Sequence, residues 1–88
     1  MDKSEIEKKL KVLAKRANIF GKRIFIRIDN HAGFFVLLND NFFYWKYAYE
    51  DEDSYCFTLG SNRDTTICVK TKNIITIDVD AGRIEIVL

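Results

Sequence analysis

Phe42-Phe43-Tyr44-Trp45-Lys46-Tyr47-Ala48-Tyr49 holds six of the chain's twelve aromatic residues in eight consecutive positions. The run is too short to span a bilayer, and aromatic residues favour the pleated, half-buried surface of a sheet. As a strand it sends Phe43, Trp45, Tyr47 and Tyr49 to one side and Phe42, Tyr44, Lys46 and Ala48 to the other. One aromatic side can be core. In a chain of 88 residues two such sides cannot easily both be core, so part of the run is expected to touch a partner. The alternation alone leaves open which side that is.

Working outward toward the C-terminus, the acidic run Glu50-Asp51-Glu52-Asp53 reads as a solvated loop. Ser54 to Leu59 follows as a strand, and Gly60-Ser61-Asn62-Arg63-Asp64 closes it. Thr65 to Thr71 reads as the next strand, with a turn at Lys72-Asn73, and Ile74 to Asp78 or Val79 as another. Asp80-Ala81-Gly82 makes a tight turn before Arg83 to Leu88, where Ile84, Ile86 and Leu88 share a face.

Toward the N-terminus, Asn39-Asp40-Asn41 and Asn30-His31-Ala32-Gly33 are turn chemistry, and they bracket the apolar strand Phe34-Phe35-Val36-Leu37-Leu38. Ile24, Ile26 and Ile28 alternate with Arg23, Phe25, Arg27 and Asp29, the period of a half-buried strand. Before Gly21 the period changes to that of a helix. Ile6, Leu10, Leu13, Ala14 and Ala17 form one apolar stripe, and Ser4 with Glu7 fits a capping box. The spacing predicts a helix over residues 4–18, stopped at Asn18 and Gly21, and strands from about residue 22 to 88. Residues 1–88 therefore form a single α+β domain: an N-terminal amphipathic helix packed on a strongly curved antiparallel sheet, or a small barrel, of about six strands.

Hydrophobic content of 48% and charged content of 31% belong to a folded domain, and the absence of proline with only four glycines indicates short loops. No uninterrupted apolar stretch follows Met1-Asp2-Lys3-Ser4-Glu5, so neither a secretory signal nor a spanning helix is expected, and a cytoplasmic location is the simpler reading. Cys56 and Cys68 lack a CxxC arrangement or a neighbouring histidine. Buried free thiols are the expectation for them, although flanking one hairpin would place them on neighbouring strands. The net charge of +1 hides a segregation: residues 1–27 carry nine Lys/Arg against three Asp/Glu, and residues 28–88 carry five against ten. Such asymmetry fits a charged partner, head-to-tail association of copies, or two solvated faces.

Chemistry-bearing constellations are few. Asp78 and Asp80 share a strand face and Glu85 lies across the expected hairpin, a set that could hold Mg²⁺ or Mn²⁺. No histidine or lysine stands near to complete a site, and hairpin ends are commonly acidic. His31, the single histidine, sits in a turn without a reaction partner. Glycine-rich phosphate loops, GxSxG and HExxH are absent. The expectation is a non-enzymatic protein with no cofactor and no metal.

Two binding readings remain. Exposed aromatics beside Lys and Arg are how sheet domains stack single-stranded bases. Arg23, Phe25 and Arg27 on the first strand, with Lys8, Lys11, Lys15 and Arg16 on the helix, form the nucleic-acid candidate set. Ile67-Cys68-Val69-Lys70-Thr71-Lys72-Asn73-Ile74 resembles the second motif of the Sm-like RNA-binding rings, with Thr71 where that family carries glycine. The resemblance implies a small barrel that binds single-stranded RNA or DNA. Against it, the aromatic strand runs directly into four carboxylates that would repel a phosphate chain.

The preferred reading is protein binding. Tyr and Trp are enriched at binding hot spots, and an aromatic strand ending in an acidic loop offers an apolar anchor with a charged rim. The candidate partner site is Tyr44, Trp45, Lys46, Tyr47, Tyr49, Glu50, Asp51, Glu52 and Asp53. Its expected role is regulation or inhibition of a larger protein, and acidic loops of this kind can occupy the basic groove of a partner that itself binds nucleic acid. Phage-encoded inhibitors of host defence, including anti-CRISPR proteins, are similar in size and style.

Overall fold

A computed structural model describes residues 1–36, 40–48, 50 and 53–88, with the side chains of Phe35 and Val36 left aside. The N-terminal helix α1 spans Lys3–Phe20. It starts one residue earlier than the spacing suggests because Asp2, not Ser4, is the N-cap: its carboxylate accepts the Glu5 amide at 2.8 Å. At the other end Gly21 takes a left-handed φ of 65°, and the amides of Gly21 and Lys22 close on the carbonyls of Ala17 and Arg16. Ile6, Leu10, Leu13 and Ala17 are buried, as their stripe requires.

Seven strands follow among the described residues: β1 Phe25–Asn30, β2 Gly33–Val36, β3 Phe43–Ala48, β4 Ser54–Leu59, β5 Thr65–Lys70, β6 Ile74–Asp78 and β7 Arg83–Val87. One turn of 3₁₀ helix at Thr71–Asn73 joins β5 to β6. They build two sheets in place of one: a four-stranded sheet in the order β2-β1-β7-β6 and a three-stranded sheet in the order β3-β4-β5. The α+β class holds, and the described strands do not close into a barrel.

The expectation of a wholly antiparallel arrangement needs correction. β1 and β7 run parallel, with Ile26 beside Ile84 and Ile28 beside Ile86. Parallel neighbours require a long crossover, usually a helix. Here the crossover contains the entire three-stranded sheet, which is why a search for helical interludes misses it. The bridge between Ile24 and Asp40 steers the chain from the first sheet toward the second, and Asp40 holds the Phe42 amide at 2.8 Å.

Both sheets and α1 enclose one core. Ile24, Ile26, Ile28, Ile74, Ile77, Ile84 and Ile86 come from the mixed sheet and its approach, and Phe43, Tyr55, Phe57, Leu59 and Val69 from the antiparallel sheet. Gly82 turns the chain into β7 at φ 68°, where a Cβ would stand 2.7 Å from the Arg23 carbonyl oxygen. Only glycine fits there without displacing the backbone. No helix among the described residues is long and apolar enough to cross a membrane.

Candidate protein-binding face

The register of β3 resolves its two sides. Phe43 is fully buried, and Trp45 and Tyr47 are half-buried and packed on the core. Their rings join a ladder along β3 and β4: Phe43 on Phe57 at 6.0 Å, Trp45 on Tyr55 at 5.9 Å and Tyr47 on Tyr55 at 5.0 Å between centroids. The Tyr47 hydroxyl donates to the Asp53 carboxylate, and the Lys3 ammonium lies 3.9 Å from the centre of the Tyr47 ring. Trp45 and Tyr47, proposed from sequence as partner anchors, thus belong to the core-facing side.

Tyr44 and Lys46 point the other way. The Arg63 guanidinium sits 4.3 Å from the centre of the Tyr44 ring, and Lys46 is exposed. Tyr44, Lys46 and Arg63 line a hollow of about 600 Å³ with Thr58 and Thr66, and the same hollow reaches Trp45 and, on α1, Ala14 and Asn18. Of the acidic stretch, Glu50 and Asp53 are exposed; Tyr49, Asp51 and Glu52 lie outside the described residues. Asp53 adopts φ 63° and its carbonyl accepts the Thr71 amide at 2.8 Å, which ties the end of the acidic stretch to the end of β5. A second hollow of about 720 Å³ opens there, lined by Met1, Lys3, Tyr47, Asp53, Lys70, Thr71 and Lys72. Its lysines come from α1 and from either side of Thr71, positions that no local spacing brings together.

The two cysteines are not free thiols. Cys56 and Cys68 are opposite one another on β4 and β5 and form a disulfide. The pairing follows from the ladder. Gly60 donates to the Phe42 carbonyl, so the even-numbered residues of β4 bond toward β3. Cys56 and Cys68 then form a non-hydrogen-bonded pair across β4 and β5, the arrangement that brings opposed side chains closest. The reduced-thiol argument for a cytoplasmic location loses its footing accordingly.

The nucleic-acid candidates occupy several different environments. Arg16 donates to the carbonyls of Val79 and Asp80, pinning α1 to the β6–β7 turn. Arg27 pairs with Asp29 at 3.2 Å and lies 4.4 Å from the centre of the Phe34 ring. Phe25 is half-buried, and Lys8, Lys11, Lys15 and Arg23 are exposed.

The carboxylates considered for a metal have structural partners as well. Asp78 accepts the amides of Asp80 and Ala81 at 3.1 and 3.0 Å, and Glu85 pairs with Arg83 at 3.3 Å. No group of potential metal ligands forms among the described residues. His31 is exposed in its turn, which is stabilised by Asn30 accepting the Ala32 amide at 2.9 Å.

Comparison with family models, with curated proteins and with solved structures finds no match to this chain.

Proposed function

We propose that this protein is a small, non-enzymatic binding protein that regulates or inhibits a larger protein through the outward side of β3. The observation that supports this reading most is the division of the aromatic strand. Its odd-numbered side packs on the core, while Tyr44, with Arg63 on its ring and Lys46 beside it, lines an open hollow of about 600 Å³ that Trp45 also borders. Rigid aromatic side chains beside an arginine are the residue types that carry binding energy at protein interfaces. Glu50 and Asp53, exposed beyond the far end of β3 with Asp53 on the second hollow, add negative charge beside this strand, and a basic groove on the partner is their complement. The comparison with phage-encoded inhibitors of host defence is one of size and style.

The test is capture from a lysate of the source cells, with and without nuclease, by the wild-type chain and by the Tyr44→Ala/Lys46→Glu variant. A protein that survives nuclease and is lost with the variant supports the reading. Binding of the identified partner by Tyr44→Ala should weaken by roughly 2 kcal/mol, mainly through faster dissociation. Neutralising Glu50, Asp51 and Asp53 together should slow association and reduce its salt dependence. Recovery of nucleic acid alone, or a partner held equally by the variant, overturns the proposal.

A further inference from the structure

Over the described residues the two sheets have four strand edges, and three of them are short or interrupted. β2 is described over four residues. β6 carries a register shift between Ile74 and Thr76. On β3, the Asn18 side chain occupies the backbone of Phe43, donating to its carbonyl at 2.6 Å and accepting its amide at 3.0 Å. Such interruptions are how natural sheets prevent further strands from adding. β5 has none of these. Its six residues pair with β4 in unbroken register from Thr65 opposite Leu59 to Lys70 opposite Ser54, without glycine or proline, and Thr65, Thr66, Cys68 and Lys70 are exposed. The Cys56–Cys68 bond also fastens this strand to the sheet.

The direction of its backbone groups follows from the ladder. Because the even-numbered residues of β4 bond to β3, the odd-numbered residues bond to β5, and Thr65, Ile67 and Val69 are their partners. The N–H and C=O groups of Thr66 and Cys68 therefore point away from the sheet. Among the described residues no backbone hydrogen bond meets them.

We propose that β5 pairs antiparallel with β5 of a second copy of this chain, forming a six-stranded sheet across a two-fold axis beside Ile67. The chemistry of the strand selects this occupant. Asp64 precedes β5 and Lys70 ends it. With the axis at Ile67, Thr66 exchanges backbone hydrogen bonds with Cys68 of the other copy, and Asp64 of each copy stands opposite Lys70 of the other. A parallel pairing of copies would set like charges together. Ile67, half-buried and packed on the core side, meets its own counterpart at the axis, which extends the apolar side of both sheets. An axis perpendicular to the sheet also leaves both Tyr44 faces on the same side of the dimer.

Sedimentation equilibrium across micromolar to millimolar concentration tests the proposal. The wild-type mass should rise from 10.3 kDa toward twice that value. Thr66→Pro removes an outward N–H without touching the β4–β5 bonds, and should stay at the single mass with an unchanged circular dichroism spectrum. Asp64→Lys alone and Lys70→Asp alone should each weaken dimerisation at least tenfold by opposing like charges, and an equimolar mixture of the two should restore it as a heterodimer. A wild-type chain that stays monomeric throughout overturns the proposal, as does a folded Thr66→Pro variant that dimerises normally. Charge variants that fail to rescue one another overturn the register.

Discussion

Removing the Cys56–Cys68 cross-link should lower stability by a margin large enough to measure without ambiguity. The bond closes a loop with a sequence separation of 12, and the chain-entropy relation gives about 9–10 cal/mol/K for a loop of that size, or about 3 kcal/mol at 25 °C. An 88-residue domain has about 4–13 kcal/mol in total, so the cross-link is a substantial fraction of the whole. Lost packing in the double variant adds to this at Cys56, which is buried, and little at Cys68, which is exposed. The corresponding fall in melting temperature is about 12–24 °C for a domain of this size. In urea, with m of about 1–3 kcal/mol/M, the midpoint should fall by about 1–3 M. The m-value should itself rise, because the reduced unfolded chain exposes more surface. The assay is paired urea titration of oxidised chain, fully reduced chain and the Cys56→Ala/Cys68→Ala variant, with thiols counted after denaturation. The oxidised protein should show no free thiol and the reduced protein two. Two thiols in never-reduced protein, or a stability change below about 0.5 kcal/mol on complete reduction, would refute the reasoning.

Leu10→Ala and Leu13→Ala remove fully buried side chains and should each cost about 2–5 kcal/mol in denaturant unfolding. Asn18→Ala strips the partner from both backbone groups of Phe43; a loss of about 1–3 kcal/mol is expected, with faster hydrogen exchange at the Phe43 amide. The two sides of β3 should respond oppositely. Trp45→Ala should cost about 2 kcal/mol or more, whereas Tyr44→Ala should change stability by less than about 1 kcal/mol. Comparable losses at both positions would show that the outward side of β3 is covered.

Local periodicity made the elements legible. The helical stripe at Ile6, Leu10, Leu13 and Ala17 and the alternation at Ile24, Ile26 and Ile28 each depend on near neighbours, and each proved to face the core. The disulfide was within reach by the same means. Cys56 lies three residues before Leu59 and Cys68 three residues after Thr65, so a hairpin that pairs Leu59 with Thr65 places the cysteines opposite one another. What local pattern could not show was the partition into two sheets. The adjacency of β1 and β7 depends on residues separated by most of the chain, and nothing in Phe25 to Asn30 encodes a preference for a parallel neighbour. The two sides of the aromatic strand were equally opaque, since both carry aromatics. The choice is made by Tyr55 and Phe57 across the ladder. Arg63 entered the site unannounced, because its contact with Tyr44 is set by the geometry of the β4–β5 turn and not by spacing along a strand.

The parallel pairing of β1 with β7 has a bearing on the order in which the molecule is made. β7 lies between β1 and β6, and the amide of Leu88 donates to the Asp29 carbonyl at 2.9 Å. While the chain emerges from a ribosome, α1, the β1–β2 hairpin and the β3–β5 meander can all form from nearby residues. The mixed sheet must wait, with one edge of β1 unpaired, until β7 has cleared the exit tunnel. A contact that joins such distant segments slows folding because so much chain must be closed before it forms. Over that interval Ile26 and Ile28 lack the neighbours that later cover them, and the nascent chain is a natural client for chaperones until β7 arrives.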